Sequence, residues 1–193
     1  MDHLESLQTA QPAHHLRATV VLVGMMGSGK TAIGRTLALK LGVPYVDSDA
    51  EIEAAANATI AEIFARSGEP FFRNREAEVI ARLLQSDPCV LSTGGGAYLA
   101  DRNREAISRH GVAVWLDADL DLLWERVRHK DTRPLLRTPD PRKTLGDIFK
   151  ERAPIYRLAD LRAEAKPEFS IDDMTTEVLR VLASRPDVLE PVT

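Results

Sequence analysis

Residues Gly24, Met25, Met26, Gly27, Ser28, Gly29, Lys30 and Thr31 satisfy every fixed position of G-x-x-x-x-G-K-[ST], the phosphate-binding loop. Gly24, Gly27 and Gly29 let the backbone turn tightly enough for successive N–H groups to converge on an anion, where a Cβ would obstruct the approach. Lys30 then brings a positive charge to β- and γ-phosphates, and the Thr31 hydroxyl is an oxygen donor for Mg²⁺. This chemistry implies a nucleoside triphosphate. It requires a strand before the loop and a helix after it, and both are spelled. Thr19, Val20, Val21, Leu22 and Val23 form an extended apolar run, while Ile33, Leu37 and Leu41 recur four apart and stop at Gly42, as in a helix with a glycine C-cap. The phosphates would sit on that helix's N-terminus.

Other side chains able to do chemistry are spread along the chain. Asp47 and Asp49 follow a short apolar run; taken alone, they would cap the next helix as readily as they would serve a ligand. Arg73 and Glu76, three apart on a predicted helix, have the spacing of a surface ion pair. Gly94, Gly95 and Gly96 form a loop too permissive to be there for packing alone. Arg128, Lys130, Arg133, Arg137 and Arg142 lie among Pro134, Pro139 and Pro141, which forbid a regular helix or central strand. The natural reading of 128–142 is a mobile basic lid, since a phosphate site needs cationic cover.

The elements that must position these groups alternate. A second strand at Val43–Val46 leads to a helix near Ala50–Ala56. Thr59 and Glu62 form a capping box for a short helix ending near Gly68, and Pro70 opens the next, which runs to about Gln85. The strand Cys89–Ser92 precedes the triple glycine. A helix near Asp101–Arg109, a strand Val112–Leu116 and a helix Asp119–Arg128 follow, with Asp119 as a cap. Thr144 and Asp147 resemble a further capping box, with Pro154 at a kink or boundary. A short strand near Leu161–Ala165 and a helix Ile171–Ala183 complete the pattern. Continuous apolar strands alternating with helices describe a parallel sheet covered on both faces.

The chain has 193 residues, 44% hydrophobic and 28% charged, which suits one α/β domain. Its net charge of −4, with mixed signs, gives no basic field for nucleic acid. No apolar stretch approaches the ~20 residues that span a bilayer, and Met1–Arg17 contains no signal-like run, so a cytoplasmic protein is expected. Cys89 stands alone in an apolar stretch and reads as core. The five histidines lack zinc-ligand spacing. Residues 1–16 and 185–193 are expected to be poorly ordered extensions of a single domain at 17–184.

Taken in order, residues 24–31, Asp47-Ser48-Asp49, Phe72-Arg73-Asn74-Arg75-Glu76, Gly94-Gly95-Gly96, Arg133-Pro134-Leu135-Leu136 and Arg152-Ala153-Pro154-Ile155-Tyr156 resemble the shikimate kinases over residues 17–184. The resemblance implies a three-layer P-loop kinase fold like that of nucleoside monophosphate kinases, with a mainly five-stranded parallel sheet, a substrate-binding region at 49–85 and a lid at 128–142. It implies transfer of the γ-phosphoryl group of ATP to the 3-hydroxyl of shikimate by a monomer that uses Mg²⁺. By the same resemblance Gly27, Ser28, Gly29, Lys30, Thr31, Ala32 and Arg133 bind ATP. Asp49, Arg73, Gly95 and Arg152 bind substrate, with the two arginines on its carboxylate, a task for which a planar guanidinium suits bidentate pairing. Lys30, Asp49 and Arg133 are the catalytic set. Thr31 and Asp47 serve the metal, Asp47 through water. Glu76 orients Arg73, and Asp49 either accepts the hydroxyl proton or positions the oxygen. The family's arginine against adenine has no counterpart in Lys166-Pro167-Glu168-Phe169, and Arg75 is a second cation beside Arg73.

Two other readings share part of the pattern. A gluconate-type kinase would have the same loop, but Phe72-Arg73, the triple glycine and Arg152-Ala153-Pro154 favour shikimate. A non-catalytic nucleotide-binding module would not need Lys30, Thr31, Asp47, Asp49 and Arg133 together.

Overall fold

The computed structural model describes residues 14–129 and 134–191. Its centre is the strand β2 (Thr19–Val23), buried at every position because helices cover both faces of the sheet. β3 (Tyr45–Asp47), β4 (Val90–Ser92), β5 (Gly111–Asp117) and β6 (Leu161–Glu164) join it in the spatial order β3-β4-β2-β5-β6, and every pairing is parallel. The register sets Val21 beside Leu91 on one side and Ala113 on the other. The chain leaves β2 for the edge strand β3, returns to fill β4 between them, and then crosses β2 to add β5 and β6; the crevice at the carboxyl ends of the strands is where such a sheet binds ligands. The phosphate loop follows β2, Asp47 ends β3, and the triple glycine follows β4.

The helices are α1 (Lys30–Leu41), α2 (Ser48–Ala56), α3 (Ile60–Leu84), α4 (Asp101–His110), α5 (Leu120–Val127), α6 (Pro141–Tyr156) and α7 (Ile171–Leu182). α1 ends at Gly42, whose φ of 65° lets its N–H return to the carbonyls of Ala38 and Leu39. α3 is two helical segments broken at Gly68 (φ 78°, ψ 173°), with Pro70 just beyond the break, and the Thr59/Glu62 capping box opens the first. Cys89 is buried against Thr19, as its apolar setting implies.

Three expectations are corrected. The chain ends are not loose where they are described: β1 (His14–Leu16) pairs antiparallel with β7 (Leu189–Pro191), Leu16 and Leu189 are buried, and Arg17 clasps Glu190. Three-residue strands carry almost no periodic signal, and this pairing spans nearly the whole chain. α6 starts at Pro141 under an Asp140 cap rather than at Thr144, because proline is pre-organised for the first helical position. The basic stretch is consequently shorter than the expected 128–142 loop: Arg142 lies in α6 bonded to Asp121, Arg128 pairs with Glu125 at the end of α5, and Pro134–Leu136 form a 3₁₀ turn. Lys130 and Arg133 lie outside the described residues.

Candidate active site

The phosphate loop takes the conformation its glycines permit. Gly27 has φ 84°, and a Cβ there would stand 2.7 Å from Val127 Cγ1, so the loop could not close onto α5 with any other residue. Gly29 precedes α1 without a side-chain cap, which leaves the helix's first N–H groups for an anion. Lys30 Nζ donates to the carbonyls of Gly24 (2.7 Å) and Met25 (3.0 Å), and so curls over its own loop. Ser28 departs from the expected ATP set: its hydroxyl is buried under the loop and its N–H is spent on Met25 O at 3.1 Å. The tight turn that exposes its neighbours turns Ser28 inward.

Asp47 and Asp49 enter from β3 and α2. Asp47 does cap α2, its Oδ1 accepting from the N–H groups of Asp49 (2.9 Å) and Ala50 (3.4 Å), while Oδ2 accepts from the Tyr45 hydroxyl at 3.4 Å. The capping and site readings of Asp47 are thus compatible. Asp49 Oδ1 is buried with no hydrogen-bond partner. Burial chiefly, then the charges of Asp47 and Glu76, push the Asp49 carboxyl up to about 6, against the opposing pull of Lys30. Such a group holds or releases a proton near neutral pH.

Arg73 NH1 donates to both oxygens of Glu76 (3.1 and 2.9 Å), and its other nitrogens reach Glu69 at 3.3 Å. Glu76 is only 1% exposed; burial raises its carboxyl above the usual range despite Arg73. The pair on the helix is therefore a buried strut rather than a surface ion pair. Arg75 points elsewhere, to Glu78 and over the Phe71 ring.

Close approaches at Gly94 and Gly96 leave no room for side chains, while Gly95 lies at ordinary contact distance from Arg152. A Cβ on Gly94 would lie 2.8 Å from Asp49 Oδ1, one on Gly95 3.5 Å from Arg152 NH1, and one on Gly96 2.7 Å from Arg73 NH2. Three successive residues thus meet one carboxylate and two guanidinium groups, from α2, α6 and α3. The loop is held in turn by its carbonyls, which accept from Ala97 N (Gly94 O, 3.0 Å), Leu99 N (Gly96 O, 3.2 Å) and the Tyr156 hydroxyl (Gly95 O, 2.5 Å).

A cavity of about 780 Å³ joins these parts. Its walls include Gly27, Gly29, Lys30, Thr31 and Ala32 on one side and Asp47, Asp49, Arg73, Gly95 and Arg152 on the other. Of the residues expected at the site, these converge, Ser28 is turned inward, and Arg133 lies outside the described residues. Arg126 and Phe169 are among the wall residues given no site role by the sequence. Arg126 donates to Gly27 O at 3.3 Å, and Phe169 carries Lys166 Nζ 5.4 Å from its ring centroid. Arg126 sits on an amphipathic helix, where an arginine ordinarily reads as solvated. The arrangement can place a triphosphate on the loop and α1, and beside it a small polyol acid between a carboxylate and two guanidinium groups.

The family model for shikimate kinase matches residues 26–183. A shikimate kinase from Ruegeria pomeroyi is 64% identical over 175 residues, 91% of this chain and 90% of its own length, and one from Cereibacter sphaeroides is 62% identical over 175 residues, 91% and 87%. Among solved structures, shikimate kinase from Acinetobacter baumannii in complex with shikimate superposes with a TM-score of 0.79 at 39% identity, covering 86% of this chain and 93% of that one. A gluconokinase from Sinorhizobium meliloti, at TM-score 0.60 and 19% identity, shares the fold alone.

Proposed function

The chain belongs to the shikimate kinase family, and from that membership we propose how its residues divide the transfer of the γ-phosphoryl group of ATP to the 3-hydroxyl of shikimate. The observation that carries the assignment is the meeting of Asp49, Arg152 and Arg73 at Gly94, Gly95 and Gly96, across one cavity from the phosphate loop.

Gly27, Gly29, Thr31 and Ala32 cradle the ATP phosphates by backbone N–H groups and the α1 N-terminus. Lys30 exchanges the carbonyls of Gly24 and Met25 for phosphate oxygens, trading two neutral acceptors for charged ones. Arg126 and Phe169 offer a guanidinium and an aromatic ring to the base, flat groups that suit a purine. Arg152 and Arg73 clamp the shikimate carboxylate, with Glu76 and Glu69 holding Arg73 in place. Gly95 brings backbone to the ring where a side chain would intrude. Asp49 then meets the reacting hydroxyl. The loose transition state of phosphoryl transfer asks little of a base, so Asp49 orients the oxygen first and takes its proton as the new bond forms. Arg133 closes with the lid over the phosphates and stabilises charge on the γ-phosphoryl and bridging oxygens.

The wall fits a nucleotide-borne Mg²⁺. Thr31 and Asp47 present hard oxygen donors, and no cluster of three or more His, Cys, Asp or Glu among the described residues would hold a cation without phosphates. Thr31 would hold the ion directly and Asp47 through water; when bound, it neutralises phosphate charge. We also propose that the enzyme acts as a cytoplasmic monomer; among the described residues no helix is long and apolar enough to cross a membrane.

The test is ADP release by purified protein against a panel of hydroxylated acids. ATP consumption with shikimate, and little with gluconate or with no acceptor, is expected. Consumption with gluconate but not shikimate, or equally without acceptor, overturns the assignment.

A further inference from the structure

Tyr156 is 1% exposed, yet its hydroxyl is fully engaged. It donates to Gly95 O at 2.5 Å, across 61 residues of chain, and the Arg152 guanidinium approaches the same glycine: a Cβ on Gly95 would stand 3.5 Å from Arg152 NH1 and 3.9 Å from the Tyr156 hydroxyl. Arg152 and Tyr156 are four apart on α6, so the helix aims both at the glycine loop. The loop's other two carbonyls are anchored by backbone N–H groups of Ala97 and Leu99, within the turn itself. Gly95 O alone among the three is held by a side chain. A planar trans peptide points its N–H opposite its carbonyl, so fixing Gly95 O also fixes the direction of the Gly96 N–H. Glycine, with the widest choice of backbone angles, needs such a constraint most.

We propose that Tyr156 is the positioning residue of the acceptor site: its hydroxyl fixes the Gly95 peptide beside the Arg152 guanidinium, and so sets the backbone that meets the shikimate ring against the cation that meets its carboxylate. This rests on the acceptor-site reading above. The phenol suits the task because its proton goes to Gly95 O while its ring is buried in the core. Its ring, packed in the core, does not follow the substrate out. Tyr156 itself touches no reacting atom and does not line the cavity.

The experiment is Tyr156→Phe, which keeps the ring and deletes the oxygen. A freed Gly95 carbonyl should raise the shikimate KM about tenfold, with kcat lowered less than about threefold and the ATP KM within about twofold. Coupling supplies the second readout. In an Arg152→Ala background the same change should raise the shikimate KM by less than about twofold, because the fixed peptide then has no guanidinium to act with on the carboxylate. A shikimate KM unchanged in Tyr156→Phe, or equal rises for shikimate and ATP, or full additivity with Arg152→Ala, overturns the proposal. Wild-type protein inactive on shikimate would instead overturn the assignment of function. If Tyr156→Phe lowers the melting temperature, the same ratios of KM are measured below its unfolding range and decide the matter unchanged.

Discussion

Asp49→Asn should make the ligand-free protein more stable and nearly inactive. Asp49 bears a charge that burial and two neighbouring carboxylates disfavour, and its carboxyl is raised from 3.8 to about 6. The sign follows from proton binding. Between these values the folded state holds a proton that the unfolded state has released, so the stability associated with Asp49 is fully present at pH below about 4 and is lost as the pH rises through about 6. The ceiling on the loss is a little over two units at 1.36 kcal/mol each, or about 3 kcal/mol; Asp49 retains some solvent access, so about 1–2 kcal/mol is expected. Asparagine has nearly the same size and no charge, and escapes that loss. At 2–4 °C per kcal/mol for a chain of this length, Asp49→Asn should melt about 2–8 °C above wild type at pH 8 and level with it near pH 4. Turnover should fall by about two orders of magnitude or more, and in wild type kcat/KM for shikimate should drop as the pH falls below about 6. Urea or thermal unfolding at both pH values, paired with initial rates, is the assay. A variant equally or less stable than wild type at pH 8 would refute the reasoning on burial, and turnover within a few-fold of wild type would remove Asp49 from the chemistry.

Lys30→Ala should fold normally, since the lysine's hydrogen bonds to Gly24 O and Met25 O stay within its own loop, and lose about two to three orders of magnitude of turnover; near-wild-type rates would sink the loop assignment. Arg152→Ala and Arg73→Ala should each raise the shikimate KM about tenfold or more with ATP affinity within a few-fold. Only Arg73→Ala should cost about 3 kcal/mol of stability, because it strands the buried Glu76, and Arg73→Ala/Glu76→Gln should recover part of that on a melting curve; equal destabilisation by both single variants would contradict the strut. Amide exchange across residues 128–142 should slow when nucleotide and shikimate are added together, with Arg133→Ala losing turnover more than shikimate affinity; exchange equally slow without ligands would make the segment a fixed loop.

What the sequence discloses depends on how local the cause is. α1 is readable to the residue, because a glycine triplet, a four-residue apolar spacing and Gly42 all lie within one window. Asp119 and the Thr59/Glu62 box are legible for the same reason. The start of α6 is misplaced at Thr144 because the Thr144/Asp147 spacing mimics a capping box, whereas Asp140 is the cap and Pro141 opens the helix. The strand order is not written locally at all: β4 inserts between β2 and β3 only once the sheet closes. In the site, Asp49, Arg73, Gly95 and Arg152 are expected from the resemblance to shikimate kinases, whereas their meeting at consecutive glycines is a property of the fold. Tyr156 stands inside a recognised motif yet is given no role there, because its partner Gly95 is remote in sequence. Arg126 had no signal beyond helix amphipathicity.

The ribbon of β1 and β7 makes the backbone almost a closed ring. His14 stands opposite Pro191, a distance of about 5 Å between Cα atoms in an antiparallel pair, so a short engineered linker would suffice to join β1 to β7. New termini then belong in the exposed turn at 85–87, ahead of β4 and therefore at the opposite end of the strands from the glycine loop. A circular permutant cut there retains every contact of the catalytic crevice, and it turns the enzyme into an insertable module whose two ends emerge away from its substrates.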